Sequence, residues 1–474
     1  MLRDVKTTIT DGGLGVGTAS GTGVHVKIGV SPVKSTAPIT ISGTMSPAKI
    51  KQLLGLSPLA DAVLDSVDNG SGKIYCIPVT PSVDGTVEAV QKTGSGTGEV
   101  TVTGKPNDAY EIIVKITESG GLNAAALRYS VDGGYSFSDE MTVPLSGELV
   151  IPETGLTFKF SEAATDPVNS FQVGDEFRVK SEAPQMSNQD MLDALATLRN
   201  ASISFEFIHI VGDSSRALWF AVATELTTLR DTYKKPVFAV LEAPRPEAGE
   251  TVDAYYQRLV DERKGLSHTD VQVIAARSLY TKSDGRTMDI NNAGIVCGWY
   301  SLAGVQQSIG ETKAFSVTES KMLKLLPEGI EDYIGLLDDE KYLTFRKYEG
   351  LEGFYVTNAR MMAPDGSDYR YAEDVRVKNK LIRETRKEAL KQLQGQVDMS
   401  DVQGSLEAIA KFIETPIDDM ARAKEISSGR IIVPEDQDIL VSETLKVIIR
   451  FVPIGRIREI DIDLGMENPF TGGA

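Results

Sequence analysis

The sequence predicts a mostly parallel α/β core with an inserted all-β sandwich, followed by an α+β region with extended terminal strands. Three observations lead to this fold class. Segments of strand type and helix type alternate in residues 186–276, which is typical of a parallel sheet covered by helices. Residues 86–184 contain short strand-like segments separated by turn residues, as a β-sandwich does. Two segments in 445–464 alternate apolar and polar side chains with the two-residue period of a strand.

The first predicted element is a linking arm at residues 1–22. It joins a β-branched segment, with Val5, Thr7 and Ile9, to a glycine-rich stretch that suits a flexible tether. The stretch lacks the Gly-Lys-Ser/Thr of a phosphate-binding loop, so we interpret it as a tether. Residues 23–85 form the first part of the core and predict a strand at 24–28, helices at 46–54 and 59–69, and a buried strand at 73–79.

Changes between strand-type and helix-type sequence patterns indicate the remaining domain boundaries. The inserted sandwich occupies residues 86–184, and we expect it to face outward; the second part of the core occupies 185–325. A C-terminal α+β domain follows at 326–455, and a second linking arm at 456–474. In these last regions we predict strands near 343–348 and 354–359, a basic helix at 371–393, an amphipathic helix at 402–413 and strands at 445–451 and 460–464.

The two terminal strands carry the first functional prediction. Ile448 and Arg450 lie in the first strand, and Ile460, Ile462 and Leu464 lie in the second. We expect no later segment to pair with the second strand, so its backbone groups require a neighbour from elsewhere. One natural neighbour is another copy of the chain. Together with the amino-terminal arm, this pattern predicts strand exchange between subunits of a homo-oligomer.

Composition and charge disfavour several classes of partner. Lys and Arg total 49 against 67 Asp and Glu, which gives a formal net charge of -18. The field of such a chain repels nucleic acid and anionic lipid, so we expect no nucleic-acid partner. No apolar run has the length of a membrane span and no signal core opens the chain, so we expect no membrane insertion and assembly in a cytoplasm.

The sequence predicts no metal site, no cofactor and no catalytic residues. Cys76 and Cys297 lie in apolar runs, and His25, His209 and His268 do not have the spacing of metal ligands. No nucleophile, base and orienting acid can be assembled from the motifs, so we expect the protein not to be an enzyme.

One segment nevertheless lies where α/β enzymes place nucleophiles. Residues 212–215, Gly-Asp-Ser-Ser, follow a strand and precede a helix, but they do not match Gly-x-Ser-x-Gly. Helix capping is therefore the predicted role. His209, within the preceding apolar strand, is predicted to be a hydrogen-bonded core residue.

A basic helix stands out in this acidic chain. It contains Arg376, Lys380, Arg383, Lys387 and Lys391. Two interpretations are open: a solvated helix face, partly neutralised by glutamates one turn away, or a docking face for an acidic partner.

From residue 186 onward the order of motifs resembles the contractile tail sheath proteins of bacteriophages and related injection machines. The motifs are Phe238-Ala-Val-Leu-Glu-Ala-Pro, the apolar turn Gly294-Ile-Val-Cys-Gly, Asn358-Ala-Arg, Tyr369-Arg-Tyr and the basic helix that begins with Val375-Arg-Val-Lys. Terminal strands near 448 and 460 complete the resemblance, which covers roughly the C-terminal 60% of the chain and the N-terminal arm. The inserted sandwich matches no shared element of that family.

The resemblance implies a helical sleeve of many copies around a rigid tail tube, in a virion tail or contractile particle assembled in the bacterial cytoplasm. It implies a tail tube protein, a baseplate and a tail terminator as partners, with the basic helix as the candidate tube-facing surface. It also implies contraction without nucleotide, from a trapped extended state to a compact one with larger contacts.

Two other classes of protein remain as alternatives. The first is a baseplate or surface-layer structural protein with an Ig-like module, which should not form long tubes. The second is an α/β hydrolase-like enzyme or nucleotide binder, which should show turnover or a ligand-dependent shift in melting temperature.

Overall fold

The computed structural model describes residues 21–466 of the 474-residue chain. The chain divides into two compact units, one up to Glu384 and one from Thr385 onward. The predicted mixture of helices and strands is confirmed. Within the described residues, no helix has the length and apolar composition needed to cross a lipid bilayer.

The first unit contains most of the elements. Its strands are β1 (His25–Val30), β2 (Ile39–Ser42), β3 (Lys73–Val79), β4 (Gln91–Thr93), β5 (Glu99–Gly104), β6 (Tyr110–Glu118), β7 (Ala126–Ser130), β8 (Met141–Thr142), β9 (Glu148–Ile151), β10 (Leu156–Ser161), β11 (Glu176–Ser181), β12 (Phe207–Asp213), β13 (Phe238–Glu242), β14 (Val271–Ile274), β15 (Arg277–Thr281), β16 (Thr287–Asn291), β17 (Met322–Leu326), β18 (Phe345–Arg346) and β19 (Tyr355–Val356). Its α-helices are α1 (Pro47–Leu54), α2 (Pro58–Asp68), α3 (Asn188–Ala196), α4 (Arg216–Asp231), α5 (Val252–Arg263), α6 (Ala293–Leu302) and α7 (Ile334–Asp339), and α8 (Ala372–Lys391) crosses the boundary between the units. Short 3-10 helices lie at Pro167–Asn169 and Ile330–Tyr333.

A six-stranded sheet forms the core of this unit. The strand order is β14-β13-β12-β1-β3-β2, and all neighbours are parallel except β2 and β3. Every residue of β1 and β13 is buried, as expected for parallel strands covered on both faces. The first helix begins where the sequence predicts, because Ser46 caps it and its first residue is proline. The second begins one residue before the predicted start at 59, since Ser57 caps it and Pro58 is its first residue.

The β-rich region predicted at 86–184 folds as two antiparallel sheets with one hydrophobic core. One sheet has the order β5-β10-β9 and the other β4-β11-β6-β7-β8. Four phenylalanines from both sheets and their connections, Phe158, Phe160, Phe171 and Phe177, belong to this core. The two ends of the region are joined by bridges between residues 83 and 185 and between 87 and 181, so it leaves and re-enters the core at one place. We refer to it below as the sandwich.

The predicted apolar turn at residues 294–298 is instead part of helix α6. Gly294 and Gly298 are one turn apart on this helix and let it pack closely on α2. A Cβ atom at Gly294 would lie 2.7 Å from the Cβ atom of Asp65, and one at Gly298 would lie 2.7 Å from that of Asn69. The glycines therefore serve close helix packing, and the apolar residues between them complete a buried helix.

The second unit contains α9 (Val402–Arg422), β20 (Ile426–Ile432), α10 (Ile439–Ser442) and β21 (Ile448–Pro453). The helix α9 continues beyond the predicted end near residue 413 and passes through Pro416, because Ile417 and Met420 extend its buried face. That face packs against β20. Strand β21 begins and ends a few residues later than the sequence predicts.

Candidate functional site

The second unit presents a two-stranded sheet. Strands β20 and β21 pair antiparallel, with Arg430 opposite Arg450 and Ile432 opposite Ile448. Within the described residues of this unit neither strand has another neighbour, so the sheet has two open edges. On the β20 edge, the N–H of Ile431 donates to Glu414 of α9 at 3.1 Å. On the β21 edge, the carbonyl oxygen of Ile449 accepts from Arg450 at 3.2 Å, so each edge keeps most of its backbone groups open to a further strand.

The chain beyond β21 carries an exposed apolar stripe. The side chains of Ile460, Ile462 and Leu464 are 75%, 77% and 92% exposed. Residues 460–464, predicted as a strand, form no strand in the single chain, because no neighbouring strand lies beside their backbone. Val5, Thr7 and Ile9 lie outside the described residues. Pairing of either arm with another copy stays a prediction.

The structure removes Arg376 from the predicted basic docking face. Its side chain is fully buried, and its Nε donates to Glu206 Oε1 at 2.6 Å. One of its terminal nitrogens also donates to the carbonyl oxygen of Tyr300 at 2.8 Å. Arg376 lies in the first turns of α8, inside the core. Its charge neutralises Glu206 and is therefore not available to a partner.

The other four residues of the predicted face lie further along α8. Arg383 is half-buried and donates to the carbonyl oxygen of Pro236 at 3.2 Å. Lys380 and Lys387 are half-buried, and Lys391 is exposed with its Nζ 2.6 Å from Glu388. Docking through these residues stays a prediction. Lys387 and Lys391 are the best candidates, because they lie nearest the exposed end of the helix.

A buried chain of polar groups crosses the core sheet. Lys27 Nζ lies 2.6 Å from His209 Nδ1, and His209 Nε2 lies 2.9 Å from Glu242 Oε1. Burial, followed by the charge of Lys27, lowers the pKa of His209 well below its ordinary value. The neutral ring can therefore accept from Lys27 and donate to Glu242. The prediction that His209 is a hydrogen-bonded core residue is confirmed.

Sequence reasoning missed Lys27 and Glu242, although a signal was present. Lys27 stands in a fully buried strand in which only His25 is also polar, and a charged residue in a strand buried on both faces requires a partner. Which residue would serve could not be read from the sequence, because β1, β12 and β13 are far apart along the chain.

An acidic cleft lies where the sandwich meets the core sheet. Its volume is about 350 Å³, and it opens at the carboxyl ends of β1, β12 and β13. Lys282 bridges Asp61 and Asp65 at 3.1 Å each, and Arg286 also binds Asp61. Asp108, from the loop between β5 and β6 of the sandwich, lines the same cleft.

The carboxyl groups of the cleft titrate differently. Burial opposes ionisation of Asp61, but Lys282 and Arg286 lower its pKa to about 2. Burial and then the charge of Asp61 raise the pKa of Asp108 to about 7. Burial and then the charge of Asp213 raise the pKa of Glu242 to about 7.

Residues 212–215 do not form a nucleophile site. The Ser214 hydroxyl donates to the carbonyl oxygen of Glu242 at 2.5 Å and accepts from Trp219 Nε1 at 2.8 Å. Ser215 occupies the cap position of α4 as predicted, but its side chain makes no capping hydrogen bond. Asp213 binds Arg277 and Arg245 instead. Among the described residues, no group of three or more His, Cys, Asp or Glu side chains could hold a metal ion.

The fold is shared with subunits of contractile particles. A chain of the extracellular contractile injection system PVC sheath complex in its contracted state aligns with a TM-score of 0.54 and 12% identity, covering 98% of both chains. A chain of the anti-feeding prophage baseplate aligns with a TM-score of 0.54 and 11% identity, also covering 98% of both chains. The sheath tail protein of Desulfitobacterium hafniense aligns at 14% identity with a TM-score of 0.49, covering 96% of this chain and all of that one. The first two likenesses confirm, for the fold, the resemblance to contractile sheath proteins.

The chain belongs to the DUF2586 family. Residues 2–360 match the family's N-terminal domain, and residues 368–471 match its C-terminal domain. No curated protein sequence matches the chain.

Substituting Arg376 tests the importance of its buried ion pair. Arg376→Met leaves Glu206 buried without its guanidinium partner, which should lower the free energy of unfolding by about 3–5 kcal/mol. The double variant Arg376→Met/Glu206→Gln should recover much of that loss, because it also removes the buried charge. Urea denaturation measures both. Lys391→Met, at an exposed position, is the matched control and should change stability by less than about 0.5 kcal/mol. Equal losses in the first variant and the control would contradict this assignment.

The raised pKa of Asp108 predicts a specific dependence of stability on pH. Because the native carboxyl holds its proton up to about pH 7 and the unfolded one releases it near pH 4, the native state binds more protons between these values. Its contribution is therefore present at low pH and is lost as the pH rises toward 7.

Asp108→Asn should remove this contribution, so the variant should be more stable than the parent chain at pH 8 by about 4 kcal/mol and should lose less stability between pH 5.5 and pH 8. Urea midpoints at the two pH values give the comparison. The exposed Asp139→Asn in the same sandwich should behave as the parent does. An unchanged pH slope in Asp108→Asn would refute the prediction.

Proposed function

We propose that this protein is a structural subunit of a contractile sheath. Many copies would form a helical sleeve around a rigid tube and contract to drive the tube through a cell envelope. The observation that carries the proposal is the fold shared, over nearly the whole chain, with a chain of the PVC sheath complex in its contracted state. The order of sequence motifs from residue 186 onward supports the same role.

We propose that the second unit links the copies. The open edge of β21 would receive a strand from another copy, and the exposed stripe at Ile460, Ile462 and Leu464 would form a strand on a neighbouring sheet. Donor and acceptor surfaces on one chain differ, so each contact is heterologous. Repeated heterologous contacts that do not close into a ring produce an open helix.

Linkage through backbone hydrogen bonds suits a sheath that changes its length. Strand addition can persist while the bodies of the subunits rotate on tethers, including the N-terminal arm at residues 1–22. We propose that the extended sleeve is a trapped state released by a trigger and that the role is structural rather than catalytic.

The partners would be a tail tube protein inside the sleeve and baseplate and terminator proteins at its ends. The basic helix would face the tube, and the sandwich would lie on the outer surface, where additional bulk is tolerated. The location would be a virion tail or a related contractile particle, after assembly in the bacterial cytoplasm.

Substitutions in the terminal stripe test the linkage. Ile460→Asp/Ile462→Asp places charges on the face that would be buried in a neighbouring sheet, so tubular polymers of the purified chain should be lost in negative-stain images. Deletion of residues 456–474 should have the same effect. Asp461→Ser/Asp463→Ser alters the opposite face and should leave tubes intact.

Tubes of normal length from the Ile460→Asp/Ile462→Asp variant would contradict linkage through this stripe. If the unchanged protein forms only discrete rings or flat arrays, the baseplate or surface-layer alternative replaces the sheath proposal.

Charge reversal tests the tube-facing role of the basic helix. Lys387→Glu/Lys391→Glu should reduce co-sedimentation of sheath polymers with the tube protein at least tenfold, because it opposes an acidic surface with like charge. Lys411→Glu reverses an exposed charge on α9 and is the matched control. Unchanged co-sedimentation of the helix variant would favour the alternative of a solvated face.

A further inference from the structure

The acidic cleft has the position of a ligand site in an α/β fold. Strand β1 lies between β3 and β12, and the chain proceeds from β1 to one side of the sheet and from β12 to the other. Such a reversal opens a crevice at the carboxyl ends of the strands, where α/β proteins bind ligands. The cleft begins at Val30, Gly212 and Glu242, at those ends, and its 350 Å³ is within the size range of small-molecule pockets.

More acidic than basic side chains line the cleft. Seven carboxyl side chains line it against three cationic ones, so acids must share partners. Lys282 is already shared by Asp61 and Asp65. Arg277 is shared by Asp213 and Asp289. The cationic groups are therefore fully engaged, and acids remain for which the walls supply no counter-charge.

Asp65 supplies a second and independent observation. Its side chain is only 6% exposed, and Oδ2 is bound to Lys282. The other oxygen, Oδ1, is buried and has no hydrogen-bond partner among residues 21–466. A buried carboxylate oxygen without a donor is energetically unfavourable, so a ligand that donates a hydrogen bond at this point would stabilise the cleft.

The raised pKa values of three acids are also what we expect of a cleft that binds a cation. Burial raises the pKa of Asp65, and the pKa values of Asp108 and Glu242 are raised to about 7. A bound positive charge would favour the ionised form of all three groups.

The geometry points to a small organic cation, with a primary ammonium or guanidinium group, as the ligand of this cleft. Such a group presents several N–H donors, which suits Asp65 Oδ1 and the neighbouring acids. A bare metal ion is disfavoured, because no three ligating side chains within the described residues come together around one point. Asp65 belongs to the core and Asp108 to the sandwich, so the ligand would bridge the two and strengthen their contact. This inference does not depend on the proposed sheath role.

Calorimetric titration of the full chain with 1,4-diaminobutane, and separately with agmatine, tests the inference at pH 8 and constant ionic strength. We expect saturable binding with one ligand per chain for at least one of the two cations. The neutral 1,4-butanediol has the same carbon skeleton as the diamine and should not bind.

Variants locate the site. Asp108→Asn and Asp65→Asn should each raise the dissociation constant at least tenfold, whereas Asp139→Asn, at an exposed position of the sandwich, should leave it unchanged. Asp108→Asn removes a carboxyl that burial disfavours, so weaker binding by this variant would not result from unfolding. Absence of saturable binding by both cations, equal binding of the diol, or an unchanged dissociation constant in Asp108→Asn would overturn the inference.

Discussion

The pairing of β1 with two strands from distant parts of the chain is the constraint on which the first unit depends. Ile28 lies opposite Ile77 of β3 on one side and opposite Ile210 of β12 on the other. The whole sandwich lies between these neighbours in sequence, so its two ends must meet for the sheet to close, as the bridge between Val83 and Gln185 shows. The same pairing buries Lys27, whose charge then requires His209 and Glu242.

The two units differ in whether their polar groups find partners within the unit. In the first, the buried charges of Arg376 and Glu206 neutralise each other within the chain, which favours one specific arrangement of helix and sheet. In the second, a two-stranded sheet with open edges and the apolar residues Ile460 and Leu464 are left exposed. Monomeric proteins usually avoid open strand edges, because such edges pair readily with strands of other chains.

Local patterns predicted many elements well because their causes are local. Ser46, followed by proline, defined the start of α1, and short strand-like segments between turn residues located most strands of the sandwich. Prediction failed where distant packing decides. The apolar residues after Gly294 became a helix because its glycines fit against α2, and α9 continued through Pro416 because β20 covers its next turn. Of the basic docking face, Arg376 was misplaced because its partner lies 170 residues earlier in the chain.

The sequence by itself determined the class of fold, the order of the elements, the acidic charge and the strand-like apolar stripe near the carboxyl end, since each depends on composition or on a short period. Only the tertiary structure decided which charges meet. The chain from Lys27 to Glu242 and the cleft shared by Asp65 and Asp108 arise from strand order and from the docking of the sandwich on the core. These are contacts between residues far apart in sequence, and a linear pattern carries no information on distance between them in space.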